Sequence, residues 1–272
     1  MKKYCLDLRV SAVERLSVKH VLLKLTQEAP LPAMQPGQFV EVRVDHSPST
    51  FLRRPISIHY VDVAHNELWL LVATIGDGTR QLGRLQPGDE VNCLLPLGNG
   101  FSMPQKASNR VLLVGGGVGI APLLYQGEAL RKAGHNPVFL LGGRTASDLL
   151  ELDLDKEVGE VYVTTADGPL GEKGFVTNHS VLEGGQFDLI QTCGPKPMML
   201  SVARYANEHA IECEASLENM MARGLGACLC CVEKTDEGNL CVCKAGCFLS
   251  TSDAADDLNS FFFLCRLTLI RH

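Results

Sequence analysis

Short apolar runs, several of which alternate apolar and polar residues, dominate the first hundred positions of the chain. Runs of this kind predict β-strands, because successive side chains of a strand point to opposite faces. They lie at residues 6–10, 21–25, 39–44 and 68–73, separated by Pro and Gly turns such as Gln35-Pro36-Gly37. Many short strands joined by turns are typical of a small antiparallel β-barrel, which we predict for residues 1–102.

The pattern changes after a polar linker at residues 103–109. Apolar runs at 111–114, 138–141, 161–164 and 187–190 alternate with segments of helical character, the first of them at about 122–133. Alternating strands and helices indicate a parallel sheet whose binding chemistry lies at the carboxyl ends of the strands. We therefore predict an α/β domain over residues 108–212, which makes the fold class β followed by α/β.

Composition and charge narrow the class of protein. The chain has 272 residues, of which 46% are hydrophobic and 21% are charged, as in ordinary globular proteins. With 25 Lys and Arg against 31 Asp and Glu, its formal charge is −6, which disfavours a nucleic-acid partner. The apolar run at 111–124 is shorter than the roughly 20 residues of a transmembrane helix, and Met1 is not followed by a secretory signal. We expect a soluble cytoplasmic protein without a membrane partner.

The cysteines are concentrated towards the end of the chain. Of eleven, only Cys5, Cys93 and Cys193 precede residue 200, and small buried side chains are the simplest explanation for these three. A dense cysteine segment in a cytosolic protein favours metal or cluster ligation over disulfides. The spacing of Cys228 and Cys231 alone also suits zinc, so a non-catalytic zinc-binding subunit stays an alternative.

Two segments of the predicted barrel carry groups suited to a phosphate-bearing cofactor. In Arg54-Pro55-Ile56-Ser57, the arginine offers a fork of donors and the serine a hydroxyl. Gly78 and Thr79 follow the strand at 68–73, where a glycine lets backbone amides approach a phosphate. Each segment also has an ordinary explanation, as an exposed arginine pair beside an edge strand or as a tight turn.

Two segments of the α/β domain carry similar chemistry. The loop Gly115-Gly116-Gly117-Val118-Gly119 follows a strand and opens a helix, which favours binding of an anion by amides and the helix dipole. It is not the G-x-G-x-x-G fingerprint, and packing alone explains some of its glycines. Cys193-Gly194-Pro195 follows the last predicted strand and makes a shelf for a planar ring, or an ordinary strand-to-helix turn.

In this order, the four motifs resemble the ferredoxin–NADP reductase-like superfamily of flavoproteins. The resemblance implies an FAD-binding barrel followed by an NAD-binding domain, with the chemistry carried by the cofactors and no catalytic side chain. It also implies FAD contacts at Arg54, Pro55, Ile56, Ser57, Leu71, Val72, Ala73, Gly78 and Thr79. NAD contacts are implied at Gly115, Gly116, Gly117, Gly119, Cys193, Gly194 and Pro195.

The cysteine segment narrows the resemblance. Residues 216–231 with Val242-Cys243-Lys244 are similar to the [2Fe–2S] module of the dihydroorotate dehydrogenase B electron-transfer subunit family, which implies a cluster module at 213–247. Cys228, Cys231 and Cys243 fall on three of its four ligand positions. The family implies a heterotetramer with an FMN-containing catalytic subunit that oxidises dihydroorotate in pyrimidine (UMP) biosynthesis. Electrons would pass from that subunit through the cluster and FAD to NAD⁺.

The chain departs from this family at two places. Arg223 stands at the first ligand position, so either Cys213, Cys230, Cys241 or Cys247 substitutes, or the cluster is unstable or missing. Residues 248–272 form an atypical tail, for which our hypothesis is a frameshift or sequence error near position 247. A related FAD and [2Fe–2S] NAD(P)H reductase, serving a ferredoxin or a sulfide-linked partner, is the alternative function within the same class.

Overall fold

A computed structural model describes residues 1–105, 109–184, 186–235, 238–246 and 248–250 of the chain. Part of the expected linker at 103–109 lies outside these residues, as do Cys247 and the tail from residue 251 onwards. No helix in the described ranges combines the length and apolar character needed to cross a bilayer.

The first hundred residues form one antiparallel sheet in the order β4-β3-β7-β1-β2-β6-β5. A short helix, α1, lies between its sixth and seventh strands. These elements are β1 (Tyr4–Arg15), β2 (His20–Thr26), β3 (Phe39–Val42), β4 (Arg54–Ser57), β5 (Tyr60–Asp62), β6 (Glu67–Ala73), α1 (Asp77–Leu82) and β7 (Glu90–Leu97).

The sheet curls until its two edges meet at the connection between β4 and β5. There the amide of Ile58 donates to the carbonyl of Gln38, at 2.9 Å, at the β3 side of the sheet. The next amide, of His59, donates to the carbonyl of Trp69 in β6, at 3.0 Å. Two consecutive residues thus bridge both edges, and alternate side chains of each strand fill the interior. The predicted antiparallel barrel is confirmed.

The second sheet follows the α/β alternation expected from the sequence. Its elements, and a cysteine-rich hairpin inserted before the last strand, complete the described chain. They are β8 (Arg110–Gly116), α2 (Leu123–Lys132), β9 (Asn136–Gly143), α3 (Leu152–Val158), β10 (Glu160–Thr165), β11 (Glu172–Lys173), α4 (Val181–Gly184), β12 (Leu189–Cys193), α5 (Lys196–Glu208), β13 (Glu212–Ser216), β14 (Val232–Thr235), β15 (Gly238–Cys241), α6 (Val242–Ala245) and β16 (Phe248–Ser250).

Strand order in this sheet determines where a ligand can bind. The order is β11-β10-β9-β8-β12-β13-β16, parallel except for β16, so the predicted parallel sheet is confirmed. Successive strands run one way from β8 and the other way from β12. Such a reversal opens a crevice at the carboxyl ends of the two neighbouring strands.

The two sheets are joined through a shared core and polar contacts. Leu22 and Leu71 of the barrel pack in one apolar cluster with Leu113 and Ile120 of the second sheet. The hydroxyl of Tyr125 in α2 donates to the carbonyl of Met34, at 3.0 Å. Apolar burial and this hydrogen bond together hold the two domains against each other.

Candidate functional site

Arg54 lies over the first turn of helix α1, so its guanidinium and the amides of that turn could bind one anion together. A Cβ on Gly78 would lie 2.8 Å from Nε of Arg54, so only glycine lets the guanidinium come this close to the helix. Arg54 donates to the carbonyls of Leu52 and Arg53, at 3.0 and 3.2 Å, and pairs with no carboxylate among the described residues. The amides of a first helical turn have no acceptor within their helix. Arginine and amides together suit a pyrophosphate, so these residues fit the FAD that the resemblance implies.

The neighbouring Arg53 is held in a different way. Its guanidinium donates to the carbonyls of Glu41 and Asn92, at 3.2 and 2.9 Å, and to the side-chain oxygen of Asn92. Arg53 therefore fastens β3 to β7, whereas Arg54 keeps donors available for a ligand.

The other predicted FAD residues divide between core and surface. Pro55, Ile56 and Ser57 are half-buried on β4, whereas Leu71 and Val72 lie in the protein core and could offer a ligand only backbone atoms. The hydroxyl of Thr79 accepts from the amides of Ile75 and Gly76, both at 3.1 Å, and so caps the start of α1. Ala73 is half-exposed at the end of β6.

The glycine loop after β8 and the turn after β12 pack against each other. A Cβ on Gly119 would lie 2.4 Å from Cα of Gly194, and one on Gly116 would lie 2.5 Å from the sulfur of Met198 and 3.2 Å from Cδ of Pro195. Gly115 is equally confined, against Ile120. The two motifs separated by some seventy residues of sequence thus form one surface at the crevice.

Gly117 is the exception in this loop. Its φ is +55°, and a Cβ there would meet no described heavy atom within 4 Å. A residue packed by its own protein would have neighbours, so this backbone faces space that a ligand can enter. The loop therefore fits the pyrophosphate of a nicotinamide nucleotide.

His59 joins the barrel motif to the nucleotide loop. It lies two residues after Ser57, and its Nδ1 is 2.7 Å from the carbonyl oxygen of Ala121, two residues after Gly119. The imidazole is almost completely buried. The two predicted cofactor surfaces are therefore adjacent.

Glu218 is an exposed acid outside the predicted site residues. Its Oε1 lies 3.9 Å from Sγ of Cys193, and desolvation by the surrounding protein raises the pKa of the Glu218 carboxyl. Glu218 follows the carboxyl end of β13, and ligands of open α/β sheets bind at the carboxyl ends of strands. Its position in the sequence could therefore have indicated a role in the site.

Glu41 is a buried acid outside the predicted site. It is 0% exposed, its two carboxyl oxygens have no hydrogen-bond partner among the described residues, and burial raises its pKa to about 7. A Cβ on Gly224 would lie 3.0 Å from its Cγ, so the cysteine segment covers it. Nothing in the local sequence of β3 signals this burial, which depends on residues far along the chain.

The cysteine segment lies against β3 and α5. Cys231 and Cys243 share an apolar cluster with Met199 and Phe39, and Phe39 pairs with Ser57 in the ladder of β3 and β4. This segment is therefore next to the strand that carries the predicted FAD contacts.

Backbone amides in this segment point at sulfur. The amide of Gly226 donates to Sγ of Cys243, at 3.1 Å, and the amide of Cys243 donates to Sγ of Cys231, at 3.4 Å. Such bonds are typical of the loop around an iron–sulfur cluster. No three His, Cys, Asp or Glu side chains in the described ranges converge on one point, however, and Arg223 occupies the first ligand position. The ligand set implied by the resemblance is thus one thiolate short.

Curated relatives support the same family as the motifs. Over 206 residues, 75% of this chain and 78% of the relative, the chain is 40% identical to "Dihydroorotate dehydrogenase B (NAD(+)), electron transfer subunit" of Shouchella clausii. Over 211 residues, 77% of this chain and 82% of the relative, it is 38% identical to the protein so named from Clostridium perfringens. No protein-family model matches the chain.

Solved structures agree on the fold. The NADH-dependent reduced ferredoxin-NADP oxidoreductase superposes with a TM-score of 0.77 and 27% identity, covering 87% of this chain and 85% of the other. The ferredoxin reductase of carbazole 1,9a-dioxygenase, with a TM-score of 0.66 and 20% identity, covers 78% of this chain and 67% of the other. The second likeness shows the fold alone.

Proposed function

The chain belongs to the family of dihydroorotate dehydrogenase B (NAD(+)) electron transfer subunits, and from this membership we propose that it carries electrons from a dihydroorotate-oxidising partner to NAD⁺ through FAD. FAD supplies the chemistry, since it can take up electrons and deliver them as hydride. The chain itself binds and orients the two cofactors.

One contact carries this proposal most directly. The bond from His59 to the carbonyl of Ala121, at 2.7 Å, holds the strand of the FAD motif beside the loop of the NAD motif. Hydride transfer needs a donor and an acceptor in direct contact, so a flavin on β4 and a nicotinamide at the crevice must be neighbours.

The residues around this contact have separate roles in the proposal. Arg54 and the first turn of α1 hold the FAD pyrophosphate, and Ser57 contacts the flavin from β4. Gly117 admits the NAD pyrophosphate, and the turn from Cys193 to Pro195 supports the nicotinamide. The carboxyl of Glu218 accepts from the Cys193 thiol and holds it in place at that turn.

The partner and the cluster extend the proposal. Cys228, Cys231 and Cys243 are proposed ligands of a [2Fe–2S] cluster, and the partner is an FMN-containing catalytic subunit in a heterotetramer of two chains of each kind in the cytoplasm. We divide the chain accordingly into an FAD barrel (1–102), an NAD domain (108–212), a cluster module (213–247) and a tail (248–272). The amides directed at sulfur support the third of these units.

An anaerobic titration with NADH tests the proposal. The purified chain should contain one FAD, seen as a flavin absorption spectrum, and NADH should bleach it. Co-purification with the product of the neighbouring gene should then give a complex in which dihydroorotate reduces the same flavin. A colourless protein, or a flavin that NADH does not reduce, would contradict the proposal.

The alternative within the class is a reductase that serves a ferredoxin. The structural likeness to the NADH-dependent reduced ferredoxin-NADP oxidoreductase favours it. The same complex decides between the two, because the alternative expects reduction by reduced ferredoxin and none by dihydroorotate.

A further inference from the structure

The cysteine segment holds four thiols that lie in two pairs. The thiols of Cys228 and Cys230 lie close enough to act on each other electrostatically, and so do those of Cys231 and Cys243, where the amide of Cys243 also donates to Sγ of Cys231 at 3.4 Å. A [2Fe–2S] cluster has two irons, each with two thiolates, so it needs two pairs rather than one convergent group of three or four. Resting on the proposed function, we propose that Cys230 supplies the fourth thiolate, as the partner of Cys228 on one iron.

The backbone at Leu229 brings the first pair together. Leu229 has a φ of +58°, in the left-handed region that residues other than glycine seldom adopt. This turn lies between Cys228 and Cys230 and so keeps the two cysteines close together. Strained residues of this kind cluster at functional sites, where the surrounding structure maintains them.

Amides already surround the sulfur of Cys228. Those of Cys230, Ala222 and Arg223 lie close to it, and the amides of Gly226 and Cys243 donate to the sulfurs of the other pair. Cys230 itself is exposed, so its thiol can rotate towards an iron without displacing core side chains.

The rival thiols are less well placed. Cys213 is 0% exposed in the core of the second sheet, in a cluster with Val202. Cys241 lies beside Cys243, which already has Cys231 as its partner. A fourth ligand from Cys241 would leave Cys228 as the one thiolate on its iron.

Arg223 has a different role in this arrangement. Its amide lies close to the sulfur of Cys228, and its positive charge acts on the thiol of Cys230. A cluster with four thiolates is anionic, and a nearby guanidinium offsets part of that charge. Arg223 at the family's first ligand position is thus compatible with an intact cluster, provided that Cys230 binds iron.

Iron and sulfide contents of single variants test the proposal. The full chain and its Cys230→Ser and Cys241→Ser variants are purified anaerobically, reconstituted with iron and sulfide, and measured for iron, FAD and the electron paramagnetic resonance of the reduced cluster. We expect about two irons per chain in the unchanged protein and in Cys241→Ser. Cys230→Ser should lose at least half of the iron and the cluster signal, and the double change Cys230→Ser with Arg223→Cys should restore both.

Several outcomes would overturn the assignment of Cys230. These are full iron and an unchanged signal in Cys230→Ser, loss in Cys241→Ser instead, or an unchanged protein that stays iron-free after reconstitution while Arg223→Cys binds a cluster. FAD content and flavin reduction by NADH are measured in the same samples. If FAD or its reduction by NADH is absent, the proposed function is contradicted. If both are present, the iron result tests the assignment of Cys230 alone.

Discussion

His59 and Glu151 meet across the boundary between the barrel and the α/β domain, with Nε2 of the imidazole 3.0 Å from Oε2 of the carboxylate. Their side chains are 4% and 12% exposed. Because Nδ1 of His59 also lies 2.7 Å from the carbonyl of Ala121, the imidazole links two segments of the second domain to the barrel.

Replacing His59 by Leu should weaken this link. Leaving the carboxyl of Glu151 without this polar partner costs about 1–3 kcal/mol, because a buried polar group loses its hydrogen-bond partner. We expect a lower midpoint of thermal unfolding and slower reduction of the flavin by NADH. His65→Leu is the control, since its partner Asp62 lies 2.7 Å away and His65 is exposed. An equal loss in both variants would contradict a special role for the buried pair.

Asp155 makes the stability of this region depend on pH. It is 7% exposed, and burial raises its pKa to about 7, although His59 lowers it and Glu151 raises it further. In the unfolded chain an aspartate loses its proton near pH 4, so between about pH 4 and 7 the folded state holds the extra proton. The free energy of unfolding therefore falls as the pH rises through this window.

The variant Asp155→Asn should remove that dependence. It should be less sensitive to pH, and at pH 8 it should be more stable than the unchanged protein by about 1–3 kcal/mol. Urea unfolding at pH 5 and pH 8 measures both effects. Asp153→Asn, on the same helix and 95% exposed, should change neither. A parallel pH dependence in the unchanged protein and Asp155→Asn would show that other groups are responsible.

Arg54→Ala should release FAD. The pyrophosphate would lose charge-assisted bonds of about 1.5–3 kcal/mol each, which lowers the affinity by roughly tenfold or more per bond. The flavin that remains after gel filtration is the measurement. Arg43→Ala is the matched control, an arginine of the same barrel that pairs with Asp45 at 2.9 Å on the surface. If Arg54→Ala retains one FAD per chain, Arg54 is not part of the FAD site.

Gly117→Val should block NAD while FAD stays bound. The added side chain would fill the space that the backbone now leaves open, and reduction of the flavin by NADH should slow at least tenfold. Gly134→Val is the control for backbone strain, because Gly134 also has a positive φ, of +85°, and open space at its Cβ position. If both variants lose the same activity, strain rather than ligand exclusion is the cause.

Local patterns predicted the strands with a clear alternation of residues and the glycine loop after β8. Other elements depend on distant residues. Strand β13 has acidic residues at alternate positions, and the buried Glu214 is satisfied by Ser102, at 3.0 Å, and Gln191, at 2.8 Å. The predicted run at 187–190 overlaps only the start of β12, which runs from Leu189 to Cys193.

The candidate site also combines motifs that the local sequence predicts with contacts that depend on distant residues. The predicted motifs are each continuous in sequence, so their residue types could be recognised locally. The burial of Glu41 depends on Gly224, and the contact of Cys193 with Glu218 depends on how β12 and β13 end side by side. The resemblance selected Arg54 and not Arg53, whereas the residues alone show only an arginine pair, because the contacts that distinguish them involve the distant Asn92 and Gly78.

Strand β16 determines what the cysteine segment can do mechanically. It pairs with β13, Ala215 opposite Phe248 and Cys213 opposite Ser250, so the chain leaves this sheet and returns to it on adjacent strands. A segment anchored at both ends cannot swing between two docking positions as a tethered shuttle domain does. In the proposed function this segment is a stationary relay, and electrons pass through it without the movement of a domain.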